Sequence, residues 1–360
     1  MSESGEPEET DEERARQQSS RRIGRALWGY AAARSWHGFI RHRGLDSAAS
    51  LAYFSALALF PGALTIVSLF ALADNREKAQ RDLLDIVNSV ANADAVEALK
   101  GPIGQLLSIP NPGIALGIGL VFLLWTTSSY VTAFGRAVNT AYEVQEGRQI
   151  WKFRGLMLIV ALVLMLVFSA IVALLLATPS VVDAVAQTFE LSDAVVVACD
   201  ILRWPVLAVL CLLAIALLYF YSPNVRHLRI RWVSWGALFA VVVWAIATVG
   251  FALYVLNVAQ YNRIYGWLGG GIVALLWLYI TNFVLVFGAE VDSEIVRARQ
   301  LQDGVAAEEV IQLPMRDTTR NLVLARQLAE DVRRGREFRE AADQSTTFDR
   351  NPSISPDHPA

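Results

Sequence analysis

The chain has 360 residues, 54% of them apolar and 18% charged, with a formal net charge of −3. That is too apolar for an ordinary soluble protein of this size. The net charge says little, because the apolar residues gather in separate runs of roughly 20, the helix length that crosses a hydrocarbon core of about 30 Å.

Residues 1–20 are acidic, contain Ser and Gln, and lack apolar periodicity, which predicts a disordered tail. They do not read as a signal peptide. The first apolar run starts only near Ala48, is too long for a signal core, and has no Ala-x-Ala site after it. Between residues 21 and 46, Arg21, Arg22, Arg25, Arg34, Arg41 and Arg43 alternate with Ile23, Leu27, Tyr30, Trp36, Phe39 and Ile40. The spacing predicts a basic amphipathic juxtamembrane helix lying on the inner leaflet.

A transmembrane domain is expected over residues 47–296, with spans near 51–73, 113–134, 156–177, 200–221, 232–256 and 267–289. Backbone amides in a bilayer cannot bond to water, so each run must be helical. The expected fold class is all-α, a polytopic membrane helical bundle of about six transmembrane helices. Trp232, Trp235, Trp267, Tyr219 and Tyr221 at span ends fit an aromatic belt. The first connection mixes Leu83, Leu84, Ile86, Val87 and Val90 with charges, which predicts short amphipathic helices on the outer surface.

Basic residues favour the N-terminal segment, the second connection (Arg136, Arg148, Lys152, Arg154) and the fourth (Arg226, Arg229, Arg231). Between Thr178 and Cys199 there are none. The positive-inside rule then places both termini in the cytoplasm, and the protein in the cell membrane. The scarcity of lysine (Lys78, Lys100 and Lys152 only) against many arginines points to a bacterial source. Residues 297–360 read as a polar cytoplasmic tail, helical over 318–342 and disordered over 343–360.

Few polar groups lie in or beside the spans, so each is a functional candidate. Tyr53 is in the first span, Asn139 is just beyond the second, and Asn282 is in the last. Pro61-Gly62 removes an amide donor in mid-span and predicts a kink, either structural or lining a cavity. Glu290 follows the last apolar run, with Asp292 and Glu294 beyond. Carboxylates at a helix C-terminus oppose its dipole. Either the helix continues past Glu290, or Glu290 pairs with an arginine such as Arg136. Asp200 and Arg203, three apart at the edge of the fourth span, are spaced to pair at the membrane boundary. Gly113 and Gly117, and Gly266 and Gly270, have the spacing of close helix contacts.

No catalytic, cofactor or metal site is expected. His37, His42, His227 and His358 form no His-x-His or His-Glu-x-x-His, and Cys199 and Cys211 are twelve apart. No Walker sequence or nucleophile elbow is present.

Four stretches carry a family resemblance. They are Ala48-Ala49-Ser50-Leu51-Ala52-Tyr53-Phe54 leading to Phe60-Pro61; Arg136-Ala137-Val138-Asn139 with Tyr142-Glu143-Val144 and Glu146-Gly147-Arg148; Tyr219 with Tyr221 to Asn224; and Tyr265-Gly266-Trp267-Leu268-Gly269-Gly270 with Leu276-Trp277-Leu278-Tyr279 and Gly288-Ala289-Glu290-Val291. Together they resemble the YihY/virulence factor BrkB family of bacterial inner-membrane proteins, over residues 25–297. The resemblance implies a six-helix membrane protein of undefined molecular activity. Some members carry the label ribonuclease BN, and the family name links others to resistance against serum killing. The residues here supply no nuclease motif and no RNA-binding module, so nucleic acid is not an expected partner.

The expected function is transport or export of a lipid-linked or amphipathic solute, with the lipid bilayer as surroundings and a polar cavity near Pro61, Asn139 and Glu290. Lacking an ATP site, such a protein would run on a gradient or a partner ATPase. The alternative is a non-transporting envelope scaffold that organises partners through its tails.

Overall fold

A computed structural model gives the fold and describes residues 24–73, 76–90, 93–176, 193–225, 234–257 and 267–349. The expected tail at 1–20, the basic residues at 226–231, the third connection from 178 to 192, Gly266 and the last eleven residues lie outside the described residues.

Among the described residues there are ten helices: α1 (Arg25–Arg41), α2 (Gly44–Ala73), α3 (Arg76–Val90), α4 (Ala93–Leu107), α5 (Pro112–Ala141), α6 (Ile150–Leu176), α7 (Asp193–Tyr221), α8 (Trp235–Asn257), α9 (Trp267–Gln302) and α10 (Thr319–Asp349). Six of them, α2, α5, α6, α7, α8 and α9, are long and apolar enough to cross a membrane. They pack as a bundle in which α9 touches α2, α5 and α8, and α5 touches α2, α6 and α7. The pairs α6–α7 and α7–α8 close the ring.

Helix α1 is set apart from α2 by a short break at Arg43, whose φ of 55° is left-handed, and both helices run antiparallel to α9, from Arg34 beside Glu294 to Ser55 beside Asn282. One face of α1 packs on α9, while Trp28, Tyr30, Trp36 and Ile40 are exposed. Ala31, Ser35, Gly38 and Phe39 are buried, and the Phe39 ring sits 4.9 Å from Phe283 and 5.4 Å from Phe287 of α9. A methyl group on Gly38 would run into the Glu290 carboxylate, so this glycine permits the close approach. Residues 44–46 belong to α2, the helix of the first span.

α2 runs as one helix through Pro61, whose carbonyl accepts a hydrogen bond from Thr65 Oγ1 at 2.7 Å. Gly113 and Gly117 are exposed and meet nothing at their Cβ positions, and the same is true of Gly270. The close contact of α5 on α2 runs instead through buried Ala115 and Gly119, the latter pressed against Thr65. The helix of the last span continues past Glu290, one of the two alternatives left open by the sequence. α9 continues to Gln302, 36 residues and about 54 Å in all, because its extension is buried on α1 and on the segment that follows. Helix α10 also reaches beyond the expected boundary, so residues 343–349 are helical. The amphipathic pair expected in the first connection is present as α3 and α4, packed on α2 through Val67, Ala79, Leu83, Ile103 and Leu107.

Burial is uneven along the spans. The main core, with Phe39, Phe134, Val138, Met157, Leu218 and Val284 among its members, lies at the end where α1, the α5–α6 connection and the α9 extension meet. We call this the polar end. Towards the other end, residues 168–175 of α6 and 241–255 of α8 include no buried residue, and residues 201–213 of α7 and 269–281 of α9 include only Leu207 and Gly269.

Candidate functional site at the polar end

Two polar networks occupy the polar end. The first joins α1, the α5–α6 connection and α9. Glu290, Glu294 and Arg297 recur at intervals of four and three, so they share one face of α9. Glu290 Oε1 lies 3.0 Å from His42 Nδ1. Glu294 Oε2 takes Arg34 Nε at 3.2 Å and Arg297 Nε at 3.0 Å. Arg297, fully buried, also reaches Glu143 Oε1 at 2.8 Å and donates to the Ala307 carbonyl at 2.5 Å. Such a group is tolerated inside only because partners surround it. Arg41 lies 3.6 Å from Glu143 at the outer edge of this network.

The second network joins the two short connections and the segment 303–318, which runs back across them from α9. Asn139 donates from Nδ2 to Glu146 Oε2 at 3.0 Å and accepts the Asn224 amide at 2.7 Å. Arg148 holds Glu146 with Nη2 at 2.7 Å and donates to the Ser222 carbonyl at 2.6 Å. Asn224 reads the backbone of Asp317 with both ends of its amide. Arg316 donates to the carbonyls of Val225 and Phe220 at 2.7 and 2.6 Å. Burial and the nearby Arg148 charge pull the Arg316 pKa below its usual range. Hydrogen bonds from Thr319 hold Asp317 below the usual carboxylate range.

Asp292 binds the bundle from its other side, accepting Tyr142 Oη at 2.5 Å and the Gly236 amide at 3.0 Å. Burial, with this carboxylate beside it, holds the Tyr142 phenol well above its ordinary pKa and keeps it a donor. Gly236 and Gly288 let α8 and α9 approach at this level. A methyl on Gly288 would meet Tyr219 Oη and Ala240.

The candidates picked from the sequence do not converge on one cavity. Asn139 and Glu290 are buried in different networks. Glu290 pairs with His42, while Arg136 is exposed on α5. Asn282 is buried higher in the bundle, where it accepts Tyr130 Oη at 2.9 Å and donates to the Leu278 carbonyl at 2.8 Å and to Ser55 Oγ at 3.3 Å. Tyr53 is 63% exposed, with its ring edge-on to Phe54. Pro61 is half-buried against α5. Asp200 and Arg203 both lie on α7, but the side chain of Asp200 is outside the description. The Arg203 guanidinium sits 5.2 Å from the Trp204 ring centroid.

Several residues of the networks (Tyr142, Glu143, Glu146, Arg148, Asn224) stand in the stretches that carry the family resemblance, but without a role read for them. His42 drew no attention because it belongs to no metal motif. From the sequence, Glu294 is only a carboxylate beyond Glu290 and Arg297 the start of the polar tail, although their spacing with Glu290 marks one helix face. Among the described residues no group of three His, Cys, Asp or Glu is arranged to hold a metal ion.

A six-span helical bundle closed at one end by buried ion pairs is a multi-pass membrane protein. The chain belongs to the family described as Virulence factor BrkB, whose sequence model matches residues 35–310. It is 31% identical over 264 residues to the ribonuclease-like protein YfkH of Bacillus subtilis, covering 73% of this chain and 94% of that one. It is 24% identical over 258 residues to a UPF0761 membrane protein of Aliivibrio salmonicida (71% of this chain, 79% of the relative), and 28% identical over 249 residues to one of Alteromonas mediterranea (68% and 80%). No solved structure matches. The matched region takes in both networks almost whole and leaves α10 outside.

Proposed function

We propose that the chain transports or exports an amphipathic or lipid-linked solute across the cytoplasmic membrane, with both termini on the cytoplasmic side. One observation carries this reading, the contrast between a tightly bonded polar end and far halves of α6, α7, α8 and α9 that bury almost nothing. Side chains there that border the core, such as Ile171, Leu210 and Trp244, are only half-buried. A path between such apolar helix faces would suit a lipid-like molecule better than a hydrated ion. The polar end then acts as the cytoplasmic closure. We propose no enzymatic role, because the buried acids at the polar end are engaged by arginine, histidine, tyrosine or backbone donors.

The test is transbilayer movement. Purified protein is reconstituted into vesicles with a headgroup-labelled phospholipid, or with a labelled polyprenyl-phosphate lipid, and access of a membrane-impermeant quencher is followed. Faster exposure of inner-leaflet label than in protein-free vesicles is expected for at least one probe. Equal rates for both would overturn the reading.

A second reading, an envelope scaffold, is favoured by α10. Every side chain from Leu322 to Asp343 is exposed, including Leu324, Leu328, Val332 and Phe338. On that reading, truncation after Thr318 abolishes function while substitutions at Tyr53, Asn139 and Glu290 leave it intact. The reverse pattern would remove it.

A further inference from the structure

The arginines at the polar end differ in how they are held. Arg34, Arg148, Arg297 and Arg316 are each held by a carboxylate or by backbone carbonyls. Arg136 and Arg154 are exposed, and among the described residues neither is paired with a carboxylate. These two lie along the surface where α6 packs on α5, which we call the α5–α6 groove.

Positions 125, 129, 132 and 136 of α5 follow at intervals of four, three and four, so they lie along one face. From the first turns of α6, Arg154 leans onto that face. Its guanidinium carbon is 5.6 Å from the ring centroid of Trp125, and its Nη1 is 3.5 Å from Thr132 Oγ1. One helical turn, about 6 Å of axis, separates Thr132 from Arg136. Trp125 is 62% exposed and Trp151, near the start of α6, is 88% exposed.

The depth of the groove follows from its neighbours. Towards the polar end, Lys152 acts on Asp317, an exposed carboxylate facing water. In the other direction the same side of α5 presents exposed Phe122, Val121 and Ile118 to the acyl chains. With Phe122, Val121 and Ile118 among acyl chains, Arg136 and Arg154 would sit where headgroups give way to hydrocarbon, the level at which tryptophan also collects. A guanidinium facing lipid at this level is costly unless an anion meets it, and its planar fork matches a phosphate. The hydroxyls of Ser129 and Thr132 already donate to the Trp125 and Ser128 carbonyls, which leaves recognition to the two arginines.

We propose that the α5–α6 groove binds the phosphate headgroup of an anionic membrane lipid, with Arg136 and Arg154 as the clamp and Trp125 against the upper acyl chain. The site does not depend on the transport reading, since a lipid held here would serve a scaffold equally. The experiment is native mass spectrometry of the full-length protein with phosphatidylglycerol or phosphatidylcholine, on wild type and Arg136→Gln/Arg154→Gln. Wild type should retain phosphatidylglycerol preferentially, and the double variant should lose that preference by roughly tenfold. The same change at Arg334 on α10, which pairs with Glu330, should leave it intact. Arg136→Lys/Arg154→Lys, which keeps the charge without the fork, should recover part of it. Equal retention by wild type and the Gln variant would overturn the proposal. Displacement of the lipid by inorganic phosphate at matched concentration would also overturn it, assigning the groove to a soluble anion.

Discussion

The two ends of the bundle obey different rules. At the polar end helices meet through buried ion pairs, amide bonds to short connections, and glycine contacts such as Gly236 with Gly288. In the far halves of α6 to α9 the side chains are as apolar as the core of any soluble protein, yet they pack little. The difference reflects the solvent. Lipid tails are as apolar as leucine, so an apolar face gains little by leaving them, and helices associate only where close packing or hydrogen bonds favour it. The far halves of α2 and α5 support the point, because there Gly119 meets Thr65 and buried contact returns.

The sharpest way to break this comparison is to disarm the polar end. Arg297→Met leaves Glu143 and Glu294 without their shared cation in a fully buried place. A loss of about 3–5 kcal/mol is expected, read as thermal unfolding of the detergent-solubilised protein. A loss below about 1 kcal/mol would mean that the network is incidental to stability. Next in size is Gly288→Ala, whose methyl would collide with Tyr219 Oη and Ala240 and part α8 from α9, at about 1–3 kcal/mol in the same assay. The matching change in the far half is Ile246→Ala, at a residue 67% exposed. It should stay within about 0.5 kcal/mol. A large effect there would show that the far half is packed against a partner or a second copy.

The sequence made the span count legible because a bilayer imposes length and apolarity on each helix, and a run of twenty residues displays both. It also showed that Glu290 conflicts with a helix end, and the helix does continue. The partners of Glu290 were not legible. His42 is 248 positions away, and it reaches Glu290 only because Gly38 lets α1 press onto α9. For the same reason the Gly113 and Gly117 pair misled. Their spacing is visible in one dimension, whereas the face that α5 turns to α2 is fixed by Ala115 and Gly119, offset from them by two positions.

The smallest expected effect tests where the bonded region stops. Helix α10 has no buried side chain between Leu322 and Asp343, so its order depends on its first turn. There Asp317 Oδ1 accepts the Thr319 amide at 2.8 Å, and the Arg320 amide donates to the Gly147 carbonyl at 2.9 Å. The Asp317 pKa is lowered in the fold, so its contribution is present above the ordinary aspartate value, near pH 4, and is lost as pH falls through the lower folded value. Asp317→Asn should therefore speed amide exchange in the first turns of α10 at neutral pH, and the difference from wild type should vanish in acid. Amides of α9 near Arg297, held by the other network, should be indifferent to the change. If α9 loosens together with α10, the two networks form one cooperative unit, and the bonded end of the molecule extends a full helix further than its burial indicates.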